Sequence, residues 1–292
     1  MIELSHVSKV IKSNLILQKM SFSIGKGECV ALIGPNGAGK TTLMRCLLGD
    51  SLISSGRISI NGLSPRDDKL KQTVAFLPQE NALPKDLKVI ELLHFFQEIY
   101  KSPLSEVEID ALLGFTDEQK QQFAGKLSGG QRRLLSFILT LIGKPSVLFL
   151  DEPTAAMDTS TRKRFWEIVG HLREQGVTIV YSSHYIEEVE HTAGRILVLH
   201  KGQLIKDTTP YQMRSEEREK QFTLPKEYMS ILDDLDDVRD IADTLDSFSF
   251  KTKDPRRVWH LLERLECPIA DIEMVNKTLL DSLFDNTEEV LK

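Results

Sequence analysis

Residues 34–41 read Gly-Pro-Asn-Gly-Ala-Gly-Lys-Thr. They fit the pattern G-x-x-x-x-G-K-[ST], a glycine-rich loop that cradles phosphate groups between a strand and a helix. The five residues before the loop, Cys29–Ile33, are nearly all apolar, as in a strand buried on both faces of a parallel sheet. After the loop, Leu43, Leu47 and Leu48 recur at helical spacing. The segment therefore predicts a strand, a phosphate-binding loop and a helix.

Each residue type in this loop has a physical reason. Glycines at 34, 37 and 39 allow backbone N–H groups to turn inward and approach phosphates closely, and the following helix adds its positive N-terminal end. Lys40 can reach the β- and γ-phosphates, and the Thr41 hydroxyl can ligate Mg²⁺. The nucleotide-binding residues that the loop predicts are Gly34, Asn36, Gly37, Gly39, Lys40, Thr41 and Thr42.

Strand-like and helix-like segments alternate beyond the loop. Val147–Leu150 and residues 177–181 are short apolar runs, and residues 165–175 between them are amphipathic with a helical period. This alternation predicts an α/β domain with a largely parallel sheet. Residues 85–133 carry apolar side chains at helical spacing without a strand-like run, which predicts a helical insert.

Two carboxylates follow the second of these strands. Asp151 can hold the Mg²⁺ shell directly or through water, and Glu152 can orient and polarise an attacking water. The alternative interpretation is a pair of solvated loop carboxylates. The phosphate-binding loop earlier in the chain favours the catalytic interpretation.

Residues 127–131 read Leu-Ser-Gly-Gly-Gln and lie between the loop and the acidic strand end. Ser128 can cap the apolar helix that follows, so a capped helix start without a ligand is one interpretation. Gly129 and Gly130 are poor helix formers and make better sense if the backbone approaches a phosphate. An element of this kind in this position resembles one family, the ABC (ATP-binding cassette) ATPases, and the resemblance covers roughly residues 1–210.

The resemblance implies a P-loop NTPase fold with an N-terminal antiparallel β element, and ATP with Mg²⁺ as the cofactor. It implies that Gln79 senses Mg²⁺ and the γ-phosphate, that His184 contacts the γ-phosphate, and that Asp158 organises a dimer interface. On this basis the catalytic residues are Glu152 and His184, and the Mg²⁺ ligands are Thr41, Gln79 and Asp151, the last two also binding nucleotide. The residues expected to act in trans, on the ATP of a second subunit, are Ser128, Gly129, Gly130, Gln131 and Asp158.

In particular, the chain resembles ATP-binding subunits of bacterial ABC-2 type exporters, in part through Leu-Leu-Asp-Ser-Leu-Phe at 279–284. This implies an ATP-hydrolysing subunit that drives substrate movement by membrane-spanning permease subunits on separate chains. It further implies a homodimer, or pairing with a related ATPase subunit, held peripherally at the cytoplasmic face of the cell membrane.

Other classes of protein share the phosphate-binding loop. ABC ATPases without a membrane partner are the main alternative. Their DNA-repair members insert long coiled coils or zinc modules before the Ser-Gly-Gly-Gln element, and their translation-factor members carry two cassettes, whereas this chain has neither feature. P-loop GTPases and small-molecule kinases do not explain residues 128–131, and residues 276–279 lack the aspartate of the guanine motif N-K-x-D.

Composition and the cysteine pattern indicate the cellular compartment of the protein. The chain is 41% hydrophobic and 27% charged, as in ordinary globular proteins. Its most apolar stretch, residues 134–142, is far shorter than the roughly 20 residues of a spanning helix. The N-terminal residues show no basic region followed by an apolar run, so no signal peptide is expected. Three scattered cysteines without metal-like spacing fit a reducing cytoplasm.

A separate accessory α/β module is predicted at 213–292, after an ABC ATPase domain at 1–212. The module holds 12 Lys and Arg against 20 Asp and Glu, a net charge of −8. Phosphate contacts need clustered Lys and Arg, so this charge argues against nucleic acid as a partner. Seven aspartates between 233 and 246 lack the spacing of a calcium loop and predict a solvated face.

Local patterns suggest the elements of the module. Asp254-Pro255 predicts a helix start, with a cap followed by proline at the first helical position. Residues 248–253 and 267–275 have the pattern of strands. A further amphipathic helix is predicted from Leu279, Leu280, Leu283 and Phe284.

Ile11 departs from the family pattern. It falls where an aromatic residue commonly stacks on adenine, and an isoleucine cannot stack. Base–aromatic stacking is worth roughly 1–3 kcal/mol in nucleic-acid systems, so weaker base affinity or base selectivity is expected here.

Overall fold

The computed structural model of the chain describes residues 1–80, 83–216 and 220–276. Two units are distinguished, Met1–Thr209 and Pro210–Lys292, and each has its own hydrophobic core. In the described ranges no helix is both long and apolar enough to cross a membrane.

The strands described in the first unit are β1 (Ile2–Ile11), β2 (Asn14–Ile24), β3 (Cys29–Ile33), β4 (Ser55–Ile60), β5 (Val74–Leu77), β6 (Val147–Leu150), β7 (Thr178–Ser182), β8 (Arg195–His200) and β9 (Gln203–Thr208). Its described helices are α1 (Lys40–Leu47), α2 (Val89–Ile99), α3 (Glu106–Leu113), α4 (Asp117–Gln121), α5 (Gly129–Leu141), α6 (Thr159–Glu174) and α7 (Ile186–Thr192).

A six-stranded sheet, in the order β5-β6-β7-β3-β8-β9, forms the centre of this unit. The first five strands pair in parallel and β9 is antiparallel. Every residue of β3, β6 and β7 is buried, as expected for parallel strands covered on both faces. The predicted α/β fold class is confirmed.

A smaller antiparallel sheet, in the order β2-β1-β4, covers one side of the central sheet. Its inward side chains, among them Ile2, Leu17 and Ile24, join Leu43 and Leu47 of α1 in one buried cluster. Burying such side chains stabilises the fold by about 1.5–3 kcal/mol each. This packing fixes the phosphate-binding loop between the two sheets.

The predicted helical insert consists of α2, α3 and α4 and the start of α5. Three of its helices begin with a capping box, in which the cap side chain and the third helical residue satisfy each other's backbone N–H groups. The caps are Ser105 for α3, Thr116 for α4 and Ser128 for α5.

The second unit contains α8 (Pro210–Glu216), β10 (Lys220–Pro225), β11 (Arg239–Asp243), β12 (Ser247–Thr252), α9 (Pro255–Arg264) and β13 (Glu273–Asn276), with a 3₁₀ segment at Lys226–Asp234. Its described strands are ordered β11-β12-β10-β13 and all pairs are antiparallel. With the 3₁₀ segment counted as the first helix, the chain order is strand–helix–strand–strand–helix–strand, which is the ferredoxin-like arrangement. Phe222, Phe248 and Phe250 stack in its core.

The structure differs from one strand expected in this unit. A strand at 267–275 is wrong in its first half, because Pro268 begins a 3₁₀ turn at Ile269–Asp271 and the strand starts only at Glu273. Proline lacks the N–H group that a strand ladder requires. The helix predicted from Leu279, Leu280, Leu283 and Phe284 lies outside the described residues.

Candidate active site

Four of the predicted site segments lie at one edge of the central sheet. The phosphate-binding loop follows β3, Gln79 follows β5, Asp151 follows β6, and His184 follows β7. These strands are parallel and adjacent, so their carboxyl ends meet at the same edge. Ligands of open α/β sheets bind at this edge.

Tertiary contacts explain two of the loop glycines. Gly34 has φ +151°, and a Cβ there would lie 2.1 Å from the carbonyl oxygen of Leu199. Gly39 has φ +102°, and its Cβ would lie 2.9 Å from Leu17 Cδ2. Side chains at these two positions are therefore excluded by neighbouring strands, whereas Gly37, at φ +82°, has open space around it.

Lys40 is the first residue of α1 and is buried. Its Nζ donates to the carbonyl oxygens of Gly34, at 2.6 Å, and Pro35, at 3.2 Å. Burial lowers the pKa of Lys40, and the nearby carboxylates of Glu152 and Asp151 oppose that shift. The ammonium group is thus held inside the loop. Asn36 and Thr41 are exposed and Thr42 is half-buried.

Glu152 lies between two other predicted site residues. Its Oε2 accepts a hydrogen bond from Gln79 Nε2 at 2.9 Å and lies 3.6 Å from Nδ1 of His184. A carboxylate in this position can accept a proton from a water molecule. The structure therefore brings together Gln79, Glu152 and His184, which are separated by 73 and 32 positions in the chain.

The backbone at Glu152 is strained. Its φ is +44°, a left-handed conformation that costs a non-glycine residue about 1–3 kcal/mol. The Glu152 N–H donates to Ser182 Oγ at 2.8 Å, and that hydroxyl donates to Asp151 Oδ1 at 2.6 Å. These bonds to β7 hold the two carboxylates in their positions.

Sequence reasoning missed Arg133, which is only 1% exposed. Its guanidinium group donates to the carbonyl oxygens of Pro78, Asp151, Glu152 and Pro153. Burial lowers its pKa to about 10, against the opposing effect of the two carboxylates nearby. Arg133 thus links the segment that follows β5 to the segment that follows β6. The available signal was a charged residue on the apolar face of α5, four positions before the buried Phe137.

A second cluster contains the residues predicted to act in trans. Ser128 Oγ accepts from the Gln131 N–H at 3.1 Å, and Gln131 Oε1 accepts from the Ser128 N–H at 3.0 Å. A Cβ at Gly130 would lie 3.1 Å from Asp158 Oδ2, so the two residues are in contact within one chain. Asp158 caps α6, and hydrogen bonds from Ser160 and Thr161 hold its pKa well below its usual range.

The predicted Mg²⁺ ligands can be tested against their chemistry. Thr41, Gln79 and Asp151 offer hydroxyl, amide and carboxylate oxygens, the donor types that Mg²⁺ prefers. The Gln79 amide nitrogen donates to Glu152, so its amide oxygen is the atom left for a cation. In the described part of the chain no group of three or more His, Cys, Asp and Glu could hold a metal.

Ile11 is the last residue of β1, opposite Asn14 on β2, and is 42% exposed. The same hairpin reaches the phosphate-binding loop, because Leu17 and the Ile16 carbonyl oxygen flank Gly39. The tip carries two further exposed apolar side chains, Val10 and Leu15. Val10 pairs with Leu15 across the two strands and Ile11 with Asn14, so Ile11 lies on the other face of the hairpin from these two.

Comparisons with known proteins show what the chain is similar to. The family model described as "ABC transporter" matches residues 17–155. The chain is 33% identical over 221 residues to the Nod factor export ATP-binding protein I of Rhizobium sp. (strain N33), covering 74% of this chain and 73% of that protein. It is 34% identical over 212 residues to the linearmycin resistance ATP-binding protein LnrL of Bacillus subtilis (strain 168), covering 70% and 68%. A solved ATP-binding subunit of an ABC transporter superposes with a TM-score of 0.66 at 26% identity, covering 74% of this chain and 92% of that one.

Proposed function

The chain belongs to the ABC transporter family as an ATP-binding subunit with ATPase activity, and we propose that it powers an exporter whose membrane-spanning subunits are separate chains. The observation that supports this most strongly is Glu152, placed 2.9 Å from Gln79 and 3.6 Å from His184 at the sheet edge that carries the phosphate-binding loop. Export is the direction named for the Nod factor relative.

In this proposal Glu152 is the general base that activates the attacking water, and His184 contacts the γ-phosphate. Gln79 donates to Glu152 and precedes the helical insert in the chain. In this proposal it transmits the presence of the γ-phosphate to the insert. Lys40 exchanges the loop carbonyls for phosphate oxygens when ATP binds. Thr41, Gln79 and Asp151 would hold Mg²⁺ together with the phosphates, and the ion would neutralise part of the phosphate charge when bound.

The composite site is also a proposal. Ser128, Gly129, Gly130 and Gln131 form the start of α5, where backbone N–H groups and the positive end of the helix favour an anion. Asp158 lies against Gly130, so both belong to one surface. We place the ATP of a second subunit against this surface, in a homodimer or a dimer with a related ATPase.

The remaining assignments follow from the same proposal. Residues 1–212 act as the ATPase domain and residues 213–292 as an accessory module without chemistry of its own. The protein sits peripherally on the cytoplasmic face of the cell membrane, bound through its membrane-spanning partner. Nucleic acid is not among its partners.

The surface that contacts this partner should lie between Gln79 and α2. Leu87 is 41% exposed there, and its carbonyl oxygen accepts from Ala124 N–H, beside the exposed Phe123. Leu83 is half-buried and Pro84 exposed. Glutamate at Leu83 and Leu87 should abolish co-purification of a polytopic membrane protein from detergent-solubilised membranes, because a charge cannot replace an apolar contact without desolvation cost.

Leu52→Glu is the matched control, since Leu52 is 61% exposed in the segment between α1 and β4. It should leave both the fold and the co-purified partner unchanged. If the Leu83 and Leu87 variants bind the membrane protein as the wild type does, the docking surface lies elsewhere. If the wild-type chain carries no membrane protein at all, the transporter proposal itself fails.

Base selectivity should be weak because Ile11 cannot stack on adenine. Dissociation constants for ATP and GTP should differ by less than about tenfold, equivalent to about 1.4 kcal/mol. Ile11→Tyr should tighten ATP binding, measured by titration calorimetry. Val10→Tyr is the control, since adjacent strand residues face opposite sides. A strong wild-type preference for ATP would show that another group holds the base.

A further inference from the structure

A largely buried carboxylate outside the phosphate-binding edge connects three segments of the first unit. Glu188 lies on α7, four positions after His184, and its side chain is 9% exposed. Its Oε2 accepts from Thr154 Oγ1 at 2.9 Å. Its Oε1 lies 3.2 Å from Arg162 Nε in an ion pair whose alignment is not that of a hydrogen bond. Glu188 therefore joins α7 to the loop that follows Glu152 and to α6.

Arg162 continues the connection toward the active site. Its guanidinium carbon lies 5.0 Å from the centroid of the Tyr185 ring, within the range of a cation–π contact. Its second terminal nitrogen lies 3.5 Å from the carbonyl oxygen of Met157, the residue before Asp158. Arg162 thus contacts both the segment that carries His184 and the segment predicted to face a second subunit.

Tyr185 completes a stack that ends on the histidine. The centroids of the Tyr185 and His184 rings are 4.1 Å apart, with an interplanar angle of 38°. The Tyr185 N–H also donates to Ser183 Oγ at 2.9 Å. The Tyr185 ring therefore contacts both the Arg162 guanidinium and the His184 imidazole. Because His184 is about half exposed, the Tyr185 ring is the contact that restricts its orientation on one side.

We propose that Arg162, Tyr185 and Glu188 are positioning residues that hold His184 in register with Glu152 and couple it to the Met157–Asp158 segment. Glu188 fixes Arg162, Arg162 holds the Tyr185 ring, and the ring orients the imidazole whose Nδ1 lies 3.6 Å from Glu152 Oε2. A displacement of residues 157–158 by a second subunit would reach His184 along this path. The inference rests on the proposed function, because it needs Glu152 and His184 to act on ATP.

The test compares the full-length chain with variants that remove single members of the stack. Tyr185→Ala should lower the kcat of ATP hydrolysis by about tenfold or more, in line with the roughly 10²-fold that a 1 Å misplacement can cost. The KM for ATP and the dissociation constant for MgATP should stay within about twofold, because neither Tyr185 nor Arg162 is assigned a contact with the nucleotide. Tyr185→Phe keeps the ring and should recover most of the lost kcat.

Arg162→Gln should lower kcat in the same way, and adding Tyr185→Ala to it should cause little further loss, since contacts in one path are not additive. The matched control is Lys163→Gln, which removes an exposed charge from the next position of α6 and should keep the wild-type kcat. Tyr185→Leu replaces Tyr185→Ala if the alanine variant unfolds, because it keeps apolar bulk but has no aromatic face.

Three outcomes overturn the inference. One is an unchanged kcat in Tyr185→Ala, and a second is an equal loss in Tyr185→Phe. The third is a loss that appears only in thermal stability or in KM. His184→Ala and Glu152→Gln separate this from failure of the proposed function. If they abolish turnover while Tyr185→Ala does not, only the positioning network is wrong; if they too leave turnover intact, the proposed active site is wrong.

Discussion

Glu152→Gln should retain ATP binding and slow ATP turnover by about 10²-fold or more, the usual contribution of a positioned general base. Glutamine has the same shape as glutamate but cannot accept the proton of the attacking water. Its amide can still lie beside Gln79 and His184, which are the neighbours of the carboxylate. Binding should persist because the phosphate-binding loop and Lys40 are unaltered.

The same variant should accumulate an ATP-bound dimer, since hydrolysis is the step that would separate the subunits. Light scattering with MgATP should show twice the monomer mass, and phosphate release should be nearly absent. Glu167→Gln, on an exposed position of α6, is the control and should turn over as the wild type does. A variant that stays monomeric under saturating MgATP would count against the composite site, and one that hydrolyses normally would remove Glu152 from the catalytic role.

Replacing Arg133 should give the largest loss of stability. Arg133→Leu removes the guanidinium donor from the carbonyl oxygens of Pro78, Asp151, Glu152 and Pro153. The Glu152 carbonyl oxygen still accepts from the Ala155 N–H at 3.2 Å. The bonds to Asp151 and Pro153 are buried. A buried acceptor that loses its partner costs about 1–3 kcal/mol, so these two predict a loss of about 2 kcal/mol or more. Arg133→Lys keeps the charge but lacks the planar guanidinium fork. Its free energy of unfolding should lie between those of the wild type and Arg133→Leu.

Urea unfolding of the full-length chain, followed in the presence and absence of MgATP, measures this effect. Arg173→Leu changes an exposed arginine on α6 and should shift the free energy of unfolding by no more than about 0.5 kcal/mol. An equally small shift for Arg133→Leu would mean that water satisfies the four carbonyl groups. The link between the segments that follow β5 and β6 would then not depend on the Arg133 side chain.

Local patterns were enough to predict much of the first unit. The short apolar run Cys29–Ile33, the glycine-rich loop and the helix after it each depend on neighbours within a few residues. The cap at Ser128 and the helix start at Asp254-Pro255 are local in the same sense, and both are found. The strand predicted at 267–275 is wrong in its first half. The prediction followed the apolar residues of this stretch and did not take account of Pro268, which lacks the N–H group of a strand ladder.

The roles predicted for Gln79, His184 and residues 128–131 did not come from local patterns. Spacing and composition alone leave a lone glutamine or histidine undecided, and the resemblance to ABC ATPases supplied their functions. The structure adds that Gln79 and His184 both reach Glu152, while Gly130 lies against Asp158. Their roles in catalysis and in trans stay predictions.

Only the tertiary structure decided the geometry that makes the edge of the sheet a site. The sequence determined that a phosphate-binding loop, an acidic strand end and a histidine exist, because each is written in a few consecutive residues. It did not determine that β5, β6, β7 and β3 are neighbours, that Arg133 crosses between two of their ends, or that Glu152 adopts φ +44°. Those features depend on contacts between residues tens of positions apart, which form only when the hydrophobic core selects one strand order.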